Sequence, residues 1–434
     1  MSANRGKPPK QGRRALALFV VALAAATALG QAGLRRYETR YYDLYTDLDR
    51  DTMREAAMRI TTMAEEYYRR TRGFAGEVGE KLPFYLFRDV DDYMSNGGPM
   101  GTIGVFNGRR LMAIAGPIAG DQTWHTVQHE GFHQFVHAVI GGDIPIWANE
   151  GLAEYFGEGE WSGDGFYSGL VPPKRLKRLR ERLARDEMKS LKEMMLLPHA
   201  VWNAEISGAN YDQAWSMVHF LAHAEDGKYA KPFHAFLRQV SHGAKWDAAW
   251  SRNFGRDVTA FESRWRDWWK GLPDDPTADR LAEWQVATLT SFFARAASQR
   301  QYFEDANVFF AAARENALKA HADDWLPRTL LNRALQGVET VGEWSVDKGA
   351  GGRKLVLQRS DGLTLVGSHT LRGGRVKDVI VKPMKAGKEA RKDKPTAAPR
   401  DDPEAAGDDA DDAPADAKPG SNAEPKNRAN KGGG

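Results

Sequence analysis

Apolar residues recur at helical spacing between Asp51 and Arg72, at Met53, Ala57, Ile60, Met63, Ala64 and Tyr67. That period predicts an amphipathic helix ending near Gly73. Ahead of it, aromatic and charged residues alternate from Tyr37 to Tyr45, as in a strand or extended segment. Leu82 to Phe87 is a compact apolar run bounded by charge and predicts a buried strand. Glycines at 97, 98, 101, 104 and 108 break the next stretch into turns, and Arg110 to Ala115 reads as another strand. A helix capped by Asp121 or Thr123 runs to about Ile140 and stops at Gly141-Gly142. Pro145 follows, and Asn149 is placed to cap a short helix from Glu150 to Phe156, ended by Gly157.

The pattern then changes character. Pro173 to Arg185 is a very basic helix, read as a solvated face or, less simply, as a surface for membranes or polyanions. Tyr211 to Ala224 and Phe233 to Val240 are apolar helices, and Trp246 to Leu272 carries aromatic residues at the spacing of core packing. Charge and proline cluster at Pro273 to Pro276, which reads as a boundary. Ala278 to Ala320 is helical in pattern. Short alternating runs at Trp344 to Val346, Lys354 to Gln358, Thr364 to His369 and Val376 to Val381, with Gly or Asp-Gly turns between them, predict an antiparallel meander. Beyond Pro383 large apolar residues are almost absent, too few to bury a core, so a disordered tail is expected. The sum is an α+β chain: a mostly helical domain with a small sheet over 31–274, a helical segment over 275–337, a β module over 338–382 and a tail over 383–434.

Composition narrows the chemistry. The 61 basic residues are nearly matched by 58 acidic ones, so no nucleic-acid partner is implied. Cysteine is absent, which excludes disulfides, thiolate metal sites and a cysteine nucleophile. Arg5, Lys7, Lys10, Arg13 and Arg14 precede an uncharged apolar run from Ala15 to Gly30, the layout of a signal peptide over residues 1–30. An exported protein of the periplasm, envelope or medium is expected, tied to the membrane if this segment is retained as an anchor.

Within the helix that begins near Asp121, His129, Glu130 and His133 form an H-E-x-x-H arrangement. Positions i and i+4 share a helix face, so both imidazoles can point at one ion with Glu130 beside it. Hydrolytic zinc takes three protein ligands and keeps a fourth position for water. The motif therefore predicts a third ligand downstream and one Zn2+ per chain. Glu150 is that choice, because a glycine break, a proline and a cap precede it and can turn a second helix toward the first. Glu130 is assigned as general base and then proton donor to a leaving amine. Glu154, one turn after Glu150, is placed to accept the second N–H of a ligating imidazole, the alternative being an exposed helix carboxylate. His125 and His137 lie on the same face but lack the adjacent glutamate, and are read as flanking histidines. Leu111 to Gly116 is assigned either as an ordinary strand or as the edge along which an extended substrate pairs. A metal-free polar seam between helices is the remaining alternative for the histidine face.

The segment Trp147-Ala-Asn-Glu-Gly-Leu-Ala-Glu154 resembles the gluzincin metallopeptidases, specifically the peptidase MA-like domains of bacterial envelope proteins, which are similar to M1 aminopeptidases. The resemblance covers about Tyr37 to Leu272 and implies a zincin-like fold, zinc, a peptide or protein substrate and Glu150 as third ligand. The helix Tyr211-Asp-Gln-Ala-Trp-Ser-Met-Val-His-Phe-Leu221 looks like the family's Y-x-K-G-x-x-x-L helix, which implies that Tyr211 stabilises the oxyanion. Gln213-Ala214 replaces Lys-Gly, and the G-A-M-E-N segment that holds a free amino terminus is missing. These departures put aminopeptidase specificity in doubt, with an endopeptidase or an unusual hydrolase on equal terms; the implied activity is a zinc-dependent peptidase, the alternative being a catalytically weak envelope binding or scaffold protein on the same fold.

Overall fold

The computed structural model describes residues 33–115, 121–140, 143–204, 208–349 and 352–384. The expected signal peptide, the Gly141-Gly142 break and nearly all of the expected tail lie outside them. Among the described residues no helix is long and apolar enough to cross a membrane.

The architecture is α+β. Strands β1 (Arg35–Glu38) and β2 (Tyr42–Thr46) form a hairpin where alternation predicts one extended segment. Helix α1 (Arg50–Thr71) follows, capped by the Asp49 carboxylate, which accepts the N–H groups of Asp51 and Thr52. Strand β3 (Leu82–Phe87), helix α2 (Val90–Ser95) and strands β4 (Gly104–Phe106) and β5 (Leu111–Ile114) complete a five-stranded sheet of order β1-β2-β3-β5-β4. β2, β3 and β5 run parallel and β4 runs antiparallel at the end. Of the two readings of Leu111 to Gly116, the ordinary strand holds, as β5 over Leu111–Ile114, and the substrate edge does not. β5 is paired on both sides, so the edge strand on this side of the sheet is β4, whose three residues carry too little pattern to be recognised alone.

Helix α3 (Asp121–Val139) lies against β4 and β5, and α4 (Ile146–Gly157) packs on α3. Thr123 is buried inside α3 and is not its cap. Asn149 is likewise no cap. Pro145 precedes the first turn of α4 because Ile146, Trp147 and Ala148 are all buried, so burial starts the helix three residues before Asn149. The hairpin β6 (Glu160–Trp161) and β7 (Phe166–Tyr167) leads to α5 (Pro173–Ala184), the short α6 (Leu191–Leu196) and α7 (His199–Ala204), and then α8 (Gly208–Gly227). The α8 backbone leaves helical geometry at Ala224, with Glu225 and Asp226 at φ of 50° and 57°. Helices α9 (Ala230–Ser241), α10 (Trp246–Phe254) and α11 (Val258–Gly271) follow. The aromatic run of Trp246 to Leu272 is two helices, because Gly255 takes φ 93° and Asp257 caps the second by accepting the Ala260 N–H.

Helix α12 (Ala278–Ser298) seats on the β6–β7 hairpin. Its Trp284 indole donates to the Trp161 carbonyl at 2.9 Å, and its Arg295 holds Asp164 with two bonds of 2.7 and 2.8 Å. Helices α13 (Ala306–Arg314) and α14 (Arg328–Leu335) pack beside it. Strands β8 (Glu343–Gly349), β9 (Gly352–Gln358), β10 (Thr364–Arg372) and β11 (Arg375–Pro383) form an antiparallel sheet that lies on α12. The described residues form one compact unit.

Two buried contacts fix α3 relative to its neighbours. The Tyr67 hydroxyl of α1 donates to the Gln128 carbonyl, and the Tyr67 ring packs edge-on against Phe132 and Phe156 at 5.4 and 4.7 Å. The Gln128 side-chain amide then donates to the carbonyls of Phe156, Gly157 and Gly159 at 3.1, 2.9 and 3.0 Å. A helix leaves its last carbonyls without intrahelical donors, and here a residue of α3 supplies them to the end of α4. Replacing Gln128 with Met keeps the bulk and removes the donor. The expected loss of unfolding free energy is about 1–3 kcal/mol, the cost of leaving buried acceptors unsatisfied, measured by urea titration of both proteins.

Candidate metal centre

Helical spacing places His129 and His133 one turn apart on α3, and their Nε2 atoms are 3.1 Å apart. Glu150, on the second turn of α4, brings Oε2 to 3.4 Å from His129 Nε2 and 3.5 Å from His133 Nε2. All three side chains are largely buried, at 12–15% exposure. The approach of α4 to α8 depends on Gly151, where a Cβ would overlap the Ala214 carbonyl. The same contact brings the helix that carries Tyr211 beside the one that carries Glu150.

The second ring nitrogens settle which lone pairs face inward. His129 Nδ1 lies 3.1 Å from Glu154 Oε1, and His133 Nδ1 lies 3.2 Å from the Asn149 side-chain oxygen. Both Nδ1 atoms therefore carry hydrogen, so in the neutral rings both Nε2 lone pairs converge with Glu150 Oε2 on one point. Such a point requires a cation. Burial opposes a charged ring at His129, yet hydrogen bonds with Glu150 and Glu154 outweigh it and raise its pKa to about 10. Burial likewise pushes Glu150 up, but its bonds with the two histidines bring it down to about 2. A proton on His129 answers the demand in the free chain, and a metal ion would displace it. The donor triangle has edges of 3.1, 3.4 and 3.5 Å. Ligands at about 2.0–2.1 Å in a tetrahedron are separated by about 3.4 Å, so these three residues fit zinc.

Glu130 stands on the β4 side. Its Oε2 accepts the Phe106 N–H at 2.7 Å, which orients the carboxylate and leaves Oε1 available. The pairing of β4 with β5 turns the N–H and C=O groups of Gly104 and Phe106 away from β5, toward the open edge. Tyr211 is half-buried with its ring 6.3 Å from the His129 ring and edge-on to Trp202 at 5.3 Å. Burial, then the negative charge of Glu150, raises its pKa, so the phenol keeps its proton as a donor. His129, His133, Glu150, Glu154, Glu130 and Tyr211 thus share one region. His125 flanks it, 3.8 Å from both Glu154 and Glu158, and His137 is exposed.

Two residues emerge that sequence reasoning misses or misassigns. Asn149 orients His133 rather than capping a helix. Arg175, hidden in the basic run of α5, is buried, and its Nη1 lies 2.6 Å from both Glu154 Oε2 and Glu158 Oε1. Its Nε is 3.0 Å from Asp212, its Nη2 donates to the Tyr211 carbonyl, and it stacks on Trp215 at 4.6 Å. Arg175 holds Glu154 well below the usual carboxylate range against the effect of burial, so Glu154 remains an acceptor for His129. The signal was present: Arg175 falls in the buried stripe of Leu176, Leu179 and Leu183.

Glu154→Gln and Asn149→Ala should each weaken zinc binding by about 10–100-fold, the usual effect of removing a group that orients a ligating imidazole, measured by competition with a chromophoric chelator. A family described as a protein of unknown function (DUF1570) matches residues 123–244, the span that carries every residue of this centre except the Phe106 amide. No curated protein matches the chain.

Proposed function

We propose that this chain is a zinc-dependent peptidase of zincin-like architecture, with His129, His133 and Glu150 as ligands. The observation that carries the reading is the donor triangle, with both Nδ1 atoms already satisfied so that both Nε2 atoms face Glu150 and offer their lone pairs once the His129 proton is displaced. Zinc held there would act as a Lewis acid and lower the pKa of a water in its open position to about 7.

The chain's own residues supply the rest. Glu130 Oε1 takes a proton from the attacking water and delivers it to the leaving amine, while the Phe106 amide keeps the carboxylate in place. The Tyr211 phenol donates to the oxygen on which negative charge develops. The outward N–H and C=O of Gly104 and the C=O of Phe106 pair with an extended peptide, which lays the scissile bond across Glu130. Export to the cell envelope or beyond belongs to the same proposal and rests on the residues before Gly30.

The test is metal analysis of chelator-free protein, with cleavage of casein and a peptide library. One zinc per chain is expected. Glu130→Gln should lower turnover by at least about a hundredfold with zinc retained. Tyr211→Phe should lower kcat by about 10²–10³-fold, again with zinc retained. Zinc-free protein would refute the reading. Zinc without turnover on any substrate would leave a metal-holding binding protein in its place.

A further inference from the structure

Beside the metal centre a cavity of about 430 Å³ opens between α5 and the start of α8. Its wall includes Tyr211 and His125 from the centre, and Arg175, Arg178 and Arg182 from successive turns of α5. Three carboxylates also line it, Glu154, Glu158 and Asp212, so the formal charges balance in number but not in place. Deep in the cavity, Arg175 is taken up by Glu154 and Glu158, and its side chain is 5% exposed. Nearer solvent, Arg178 and Arg182 share Asp212, a carboxylate that Arg175 also contacts.

The sharing is incomplete. Arg178 spends Nε and Nη2 on Asp212 at 3.2 and 3.1 Å, which leaves Nη1, and its side chain is 52% exposed. Arg182 reaches Asp212 only at 4.0 Å, beyond a hydrogen bond, although its side chain is 29% exposed. Two guanidinium groups four residues apart on one helix face repel each other. One shared carboxylate offsets that repulsion only in part, and the donors left over face a cavity large enough for a side chain. A planar carboxylate is the group that a guanidinium fork binds with two parallel bonds.

We propose that this cavity is a substrate subsite for a carboxylate, read by Arg178 and Arg182, which sets a preference for an acidic residue close to the bond cleaved. The proposal rests on the peptidase reading, because the cavity adjoins the residues assigned to that reaction. The carboxylate could belong to an Asp or Glu side chain or to a chain terminus.

The experiment uses the full chain and neutral acetylated, amidated, fluorescein-labelled decapeptides. A single Glu, or its isostere Gln, is walked through every position, and one further neutral peptide carries a free C-terminal carboxylate. Binding to Glu130→Gln is followed by fluorescence anisotropy, and cleavage by the wild type by mass spectrometry. In one register the Glu peptide should bind at least about tenfold more tightly than the Gln peptide, as expected when a site built for a charged partner meets a neutral one. A gain confined to the free C-terminal carboxylate also supports the subsite and assigns it to a terminus. The preference should vanish in R178Q/R182Q and persist in K174Q/K177Q, which removes charge from the exposed face of α5. Equal binding of all peptides, no binding, or equal loss of preference in both double variants overturns the subsite. Cleavage by the wild type with no acidic preference leaves the peptidase standing without the subsite. Acidic-selective binding with no cleavage leaves the subsite standing without the peptidase.

Discussion

Three electron-pair donors, His129 Nε2, His133 Nε2 and Glu150 Oε2, are held within 3.1–3.5 Å of one another in a largely buried cleft between two helices. Lone pairs and a carboxylate brought this close in a low dielectric repel one another unless a positive charge sits among them. Glu154 and the Asn149 side-chain oxygen occupy the outer ring nitrogens and so keep both Nε2 atoms turned toward Glu150. The rest of the domain holds that unfavourable convergence in place.

The holding is done by polar contacts as much as by apolar burial. Gln128, the residue before His129, supplies donors to the end of α4, and Gly151, the residue after Glu150, lets α8 approach to backbone contact. The proposed ligands on α3 and α4 are thereby fixed by their immediate neighbours in sequence. Arg175 extends the arrangement outward. Through Glu154 it reaches the His129 ring, and through Asp212 and the Tyr211 carbonyl it reaches the helix that carries the phenol. One buried guanidinium therefore ties the proposed ligands to the phenol assigned to the developing charge.

Much of this is legible in the sequence because it is local. The i, i+4 spacing of His129 and His133 fixes a shared face, and the long amphipathic helix, the buried strand at Leu82 and the strands of the terminal sheet all follow from period and turn residues. The failures come where distant parts of the chain decide. Asn149 reads as a cap, yet burial of Ile146, Trp147 and Ala148 begins the helix earlier and frees its side chain for His133. The sheet edge beside Glu130 falls on Gly104–Phe106 because strand order is set by non-local pairing, and three residues among glycines leave no period to detect. Arg175 disappears into a basic run, although its place in the apolar stripe of α5 distinguishes it from Lys174 and Lys177.

The central claim is that His129, His133 and Glu150 hold one zinc ion. Zinc K-edge X-ray absorption on protein purified without chelator tests it most directly, because the absence of cysteine leaves nitrogen and oxygen as the expected ligands. The account predicts a first shell of four light atoms at about 2.0–2.1 Å with the outer-shell features of two imidazoles, one of which disappears in His133→Ala. Absence of zinc, or an imidazole count unchanged by His133→Ala, would contradict it.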